Sequence, residues 1–150
     1  MKTCSLCREE QDDSQFENKR KVCSSCRRRQ TQLRESKTPD AYFKKLVTQL
    51  RYQRGRDNIE FNLTSDDCTK LWHKQKGRCA VSGVVMTHHR DGSGHKEFNA
   101  SIDRISPDQS YTPSNVQLVA YRVNIMRHIL PLDQFHWWVQ NIWEHKNSGI

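Results

Sequence analysis

Apolar residues recur at helical spacing three times along the chain. Tyr42, Phe43, Leu46, Val47 and Leu50 form one stripe, with Lys44, Lys45, Arg51, Arg54 and Arg56 mostly off it, which predicts an amphipathic helix. Thr38 supplies an N-cap hydroxyl, Pro39 suits a first turn whose N–H lacks a partner anyway, and Gly55 marks the end. A second helix starts at Thr64 or Ser65 and places Asp66 and Asp67 where the helix dipole favours negative charge. It runs through Leu71 and Trp72 and stops at Gly77. A third spans Leu132 to Lys146, with Phe135, Trp138, Val139, Ile142 and Trp143 at helical spacing. Such a stripe is expected to be core, the cover that buries the unit before it.

Between the second and third helices the period shortens. Arg78 to Met86, R-C-A-V-S-G-V-V-M, reads as a hairpin or two short strands broken at Ser82 and Gly83. Thr87 to Phe98 is polar and carries His88, His89 and His95. Ser101 to Ile105 alternates like a strand, Pro107 to Pro113 is turn chemistry, and Val116 onward begins as a strand and shifts to helical period until Pro131. Strand, loop, strand, helix is the implied order. Asp103 then ends the first strand and Asn124 sits on the helix, so two oxygen donors converge on one cation. A hard divalent ion such as Mg²⁺ is held in this way, by one or two protein oxygens.

Composition narrows the partner class. The 150 residues carry 25 Lys and Arg against 17 Asp and Glu, a formal charge of +8. Such an excess favours a polyanion, through phosphate neutralisation and counterion release; the bland reading is solubility alone. No apolar run reaches the length of a membrane span, and M-K-T-C-S-L-C has no apolar signal segment, so an intracellular protein without membrane contact is expected.

Cys4, Cys7, Cys23 and Cys26 form C-x-x-C, fifteen residues, C-x-x-C. Four thiolates at this spacing close a tetrahedral Zn²⁺ site, one structural ion per chain, with Phe16 and Val22 as the only filling. A module with so little core depends on its metal for stability. Redox chemistry is the rival, but no βαβ pattern surrounds the pairs. Lys19, Arg20, Lys21 and Arg27, Arg28, Arg29 put six cations around the module. They read as a phosphate-contacting face, joined by Lys44, Lys45, Arg51 and Arg54, or else as solvated charge.

On S-I-D-R-I, Tyr111, N-V-Q-L-V and V-N-I-M-R, with G-R-C-A-V-S-G-V-V-M ahead of them, the chain resembles the HNH, or ββα-metal, nucleases over Leu71 to Arg127. A four-cysteine module preceding the nuclease unit is similar to the layout of small restriction enzymes in that superfamily. The resemblance implies Asp103 and Asn124 as ligands of a catalytic Mg²⁺ or Mn²⁺ and Asn115 as the brace of the loop between the strands. Arg104 stands where the commonest motif has a histidine base. Guanidinium has no acceptor and stays protonated, so Arg104 serves to hold the phosphate or stabilise its developing charge. The proton acceptor must lie elsewhere: His73, His88, His89, His95 or metal-bound water. The further C-x-x-C pairs of many HNH proteins are replaced here by Cys79 with Ser82 and Ala120 with Val123. Packing by Val81, Val119, Val123 and the C-terminal tryptophans is expected instead, with Cys68 and Cys79 as free buried thiols.

The expectation is an α+β chain: a zinc module over 1–30, a basic helix and linker over 31–63, and an HNH-like ββα-metal nuclease unit over 64–150 covered by a C-terminal helix. Its expected function is that of a metal-dependent endonuclease hydrolysing phosphodiester bonds of double-stranded DNA, site-specific and of restriction or homing type. The alternative is a non-catalytic zinc-containing nucleic-acid-binding module with a degenerate site. A homodimer on a two-fold target and a monomeric nickase both remain open.

Overall fold

The computed structural model describes residues 1–17, 19–57, 59–90 and 96–149. Its architecture is α+β. Among the described residues there are two two-stranded antiparallel sheets, β1 (Lys2–Thr3) with β2 (Glu10–Gln11) and β3 (Ala100–Arg104) with β4 (Val116–Ala120). Five α-helices accompany them: α1 (Ser24–Glu35), α2 (Pro39–Arg56), α3 (Ser65–Lys74), α4 (Tyr121–Arg127) and α5 (Leu132–Asn147).

The caps follow the local chemistry. Thr38 Oγ1 accepts from Ala41 N at 3.2 Å and opens α2, which runs through Gly55 to Arg56 instead of ending before it. Thr64 and Asp67 form a reciprocal capping box on α3, Asp67 N donating to Thr64 Oγ1 at 3.2 Å and Thr64 N to Asp67 Oδ2 at 3.0 Å. α3 ends at Lys74, and Gly77 turns the chain at φ +66°. A Cβ there would lie 3.1 Å from the Trp72 ring, so both conformation and space call for glycine.

One core joins α2, α3 and the β3–β4 hairpin. Phe43, Leu63, Cys68, Leu118 and Val119 have no exposed surface, and Tyr42 and Val47 of α2 are buried with them. Burying a side chain of Phe43's size fully stabilises by about 1.5–3 kcal/mol. Tyr42 also donates its hydroxyl to Ala100 O at 2.8 Å, tying α2 to the first residue of β3. The outer edge of β4 is met at Leu118 by a side chain: Gln75 Nε2 donates to Leu118 O at 2.8 Å, and Gln75 Oε1 accepts from Leu118 N at 3.0 Å. At Leu118 the strand edge is thus satisfied within the chain. Arg78 to Met86 is a turn with one bridge, Arg78 to Val85, rather than paired strands.

Cys68 and Cys79 are buried free thiols, and Val119 is fully buried with Val81 and Val123 packed against the same core. The tryptophans do not join them. α5 occupies its expected span, but Trp138, Val139, Ile142 and Trp143 are 54, 43, 67 and 64% exposed, and only Phe135 is buried. The stripe therefore does not bury the hairpin and helix before it. Helical spacing reports that a face is apolar, not that this chain covers it.

A candidate phosphate cleft and a cysteine tetrad

α4 lies on one face of the β3–β4 hairpin. Strand alternation puts Ser101 and Asp103 on that face, and Asp103 is paired in register with Gln117. Asn124 Nδ2 donates to Ser101 Oγ at 2.7 Å. Three residues on, Arg127 Nη1 donates to both carboxylate oxygens of Asp103 at 2.6 Å, and Gln117 Nε2 donates to Asp103 Oδ2 at 2.9 Å. The pair is 1% and 5% exposed. Arg127 also donates to Arg104 O and Ile105 O at 2.7 and 2.9 Å, so one guanidinium locks the helix to the end of β3. Arg127 was not singled out from the sequence. Its only signal there was the three-residue spacing from Asn124, which places both side chains over the same strand.

Asn115 holds the loop between the strands. Its Oδ1 accepts from Ser106 N at 3.0 Å, and its Nδ2 donates to Ser106 O and Ser110 O at 3.1 and 3.0 Å. Arg104 lies over the Tyr111 ring with its guanidinium carbon 5.0 Å from the centroid, and donates to Gln109 O at 3.0 Å. Arg54 of α2 approaches the same ring at 5.8 Å.

These groups open onto a cleft of about 520 Å³ between α2 on one side and β3 with α4 on the other. Asp103, Arg104, Asn124, Arg127 and Arg54 all line it. So does His128, exposed at the C-cap of α4 with φ +52°. That histidine follows Asn124 by four residues, one helical turn, a spacing the sequence offered. His88 and His89 are not among the cleft-lining residues. His88 Nδ1 is 2.9 Å from Ser36 O, with its ring against Tyr42 and Trp72, and His89 is bound through its backbone to the Asn99 side chain. His73 is exposed on α3, and His95 lies outside the described residues.

The basic residues divide by partner. Arg27 pairs with Glu17 at 3.0 Å, Lys45 with Glu35 at 3.2 Å and Arg54 with Asp57 at 3.2 Å. Arg51 donates to Leu63 O at 2.9 Å and lies over Phe61. Arg28, Arg29 and Lys44 are exposed.

At the other end of the chain, the sulfurs of Cys4, Cys7, Cys23 and Cys26 lie within 4.8 Å of one another. Zn–S bonds near 2.3 Å place tetrahedral sulfurs about 3.8 Å apart, so the donor set and spacing fit Zn²⁺. Cys4 sits at about 6 instead of 9.0, chiefly because Cys23 N donates to its sulfur at 3.3 Å. Cys26 is pushed up to about 12, first by its hydrogen bond to the Cys23 sulfur. Among the described residues no second group of three or more His, Cys, Asp or Glu side chains has this proximity.

No protein-family profile matches the chain, and no curated protein matches it. Among solved structures it is similar to the rare-cutting HNH restriction endonuclease PacI, over 97% of this chain and 98% of that one, at 13% identity and a TM-score of 0.44. No helix among the described residues is long and apolar enough to cross a membrane.

A divalent ion in the cleft meets a mixed donor set. Asp103 and Asn124 offer oxygen donors of the right type for Mg²⁺ or Mn²⁺, and His128 adds an imidazole to the same cleft. Asp103, however, already accepts three hydrogen bonds, which leaves one lone-pair direction, on Oδ1. An ion held there would have to share Asp103 with the positive charge of Arg127.

Proposed function

We propose that the chain is a metal-dependent DNA endonuclease that hydrolyses a phosphodiester in the cleft between α2 and the β3–β4–α4 unit. The observation that carries this reading is the convergence of a strand end and a helix on one cleft wall, Asp103 with Asn124 and His128, beside the guanidinium groups of Arg104 and Arg54. The sequence resemblance to the ββα-metal nucleases supports it at Asp103, Arg104 and Asn124. Arg104 and Arg54 hold the phosphate and offset the charge that grows on it during attack. His128, one turn beyond Asn124, is the imidazole available to accept the proton of water, the role Arg104 cannot fill. Asn115 keeps the loop after β3 in place, so Arg104 stays aimed. A divalent ion at Asp103 and Asn124 would supply Lewis-acid stabilisation and a lower pKa for water. The cysteine tetrad would hold one structural Zn²⁺, with Arg28, Arg29 and Lys44 contacting the DNA backbone.

Nicking of supercoiled plasmid with Mg²⁺ or Mn²⁺ tests the reading. Arg104→Ala and His128→Ala are expected to lower the rate about 10²- to 10³-fold with unchanged circular dichroism. Wild-type protein that binds the plasmid but leaves it uncut would sink it.

A second reading has a specific observation behind it. The close Arg127–Asp103 pair is what a structural anchor looks like, and it favours a nucleic-acid-binding module without catalysis. Salt-sensitive DNA binding without metal-dependent nicking would select that alternative.

A further inference from the structure

The apolar face of α5 has no cover among the described residues. Its N-terminal end is held by the buried Phe135, beyond which Trp138, Val139, Ile142 and Trp143 continue the same stripe in the open. Trp137 is off the stripe but packs edge-on against Trp138, with ring centroids 4.9 Å apart. Adjacent exposed tryptophans are unusual on a monomer surface and mark an interaction face.

From this face we infer that two copies of the chain associate through α5, packed antiparallel about a two-fold axis near the middle of the helix. Three features single out a second copy as the occupant. The stripe is self-complementary: reversal about a point between Gln140 and Asn141 sets Trp138 opposite Trp143 and Val139 opposite Ile142 of the other copy, as an isologous contact requires. The helix is nearly neutral in a chain of charge +8, carrying Asp133, Glu144 and Lys146, and Gln134, His136, Gln140 and Asn141 lie off the stripe. Two such faces meet without the repulsion the rest of the molecule would impose, and a helix this poor in cations is a weak binder of anionic lipid. With Trp side chains of about 200 Å², the exposed fractions leave roughly 400–500 Å² of apolar surface on each copy. Two copies then bury on the order of 1,000 Å², the lower bound for a specific, reversible interface. The inference does not depend on what the cleft does.

Sedimentation velocity from about 1 to about 100 µM, the range in which small interfaces populate, tests it directly. Wild-type protein is expected to pass from monomer to dimer. Ile142→Glu and Val139→Glu, both at exposed positions, are expected to stay monomeric with an unchanged thermal melt, and Trp137→Glu to keep dimerising. Ile142→Lys provides a second variant of opposite charge should either Glu variant fold poorly. A wild-type chain that stays monomeric throughout overturns the proposal, as does a dimer that survives the stripe variants. Binding of the monomeric wild type to anionic phosphatidylserine vesicles, abolished by Ile142→Glu, would reassign the face to a lipid surface.

Discussion

Arg127 is held from three sides: it is fully buried, paired twice with Asp103 and donates to two backbone carbonyls at the end of β3. Removing either member leaves the other as an uncompensated buried charge. Arg127→Ala and Asp103→Ala are each expected to destabilise by about 3–5 kcal/mol in urea unfolding. The double variant Asp103→Asn with Arg127→Met should recover part of that loss, as replacement of a buried pair by neutral groups does. Asp103 was legible in the sequence as an acid at a strand end, while its partner was not, because pairing across 24 positions is set only when α4 folds back on β3. Tyr42 makes a pH prediction. Burial pushes its hydroxyl up to about 12 from 10.0. Between these values the unfolded chain ionises the phenol while the folded chain keeps it neutral, so stability present below pH 10 is lost as pH rises toward 12. The loss attributable to this group is roughly 2–3 kcal/mol. Tyr42→Phe should show a correspondingly shallower alkaline decline in its unfolding midpoint.

At the scale of elements, local chemistry was the best guide. The Thr38 cap, the Thr64–Asp67 capping box and the strand, loop, strand, helix order over 100–127 all follow from side chains within a few positions of each other. Arg78 to Met86 closes as a tight turn instead of paired strands: Cys79 N donates to Val84 O and Gly83 N to Cys79 O, both at 2.9 Å, while Ala80 N is drawn to Leu118 O of β4 at 2.9 Å. The cysteine module is the element whose stability is least its own, since its core is Cys4, Phe16 and Cys23 with Val22 beside them. Zinc is expected at one ion per chain by inductively coupled plasma mass spectrometry. Chelation should release the 1–30 segment to proteolysis while the α2–α3–hairpin core stays protected, since that core contains none of the four ligands. Loss of the whole near-ultraviolet spectrum on chelation would contradict this separation.

For the whole molecule, charge and an unpaired apolar helix decide how it meets others. With a net charge of +8, DNA affinity should fall steeply with salt, log K decreasing linearly with log salt concentration. Replacing Arg28 and Arg29, both exposed, with Ala should reduce that slope by about 2, whereas Arg27→Ala should change it less because Arg27 already pairs with Glu17. Fluorescence anisotropy with a labelled duplex across a salt series measures both. The sequence by itself determined what depends on residue type and near spacing: the cysteine tetrad, the helix caps, the strand end carrying Asp103 and the excess of cations. Tertiary structure alone decided which side chains share a space: Arg127 on Asp103, His128 in the cleft where His88 and His89 are not, and the tryptophan stripe left in the open. The physical reason is that capping and periodicity act within a turn or two of chain, whereas burial and ion pairing are settled only by how distant segments pack.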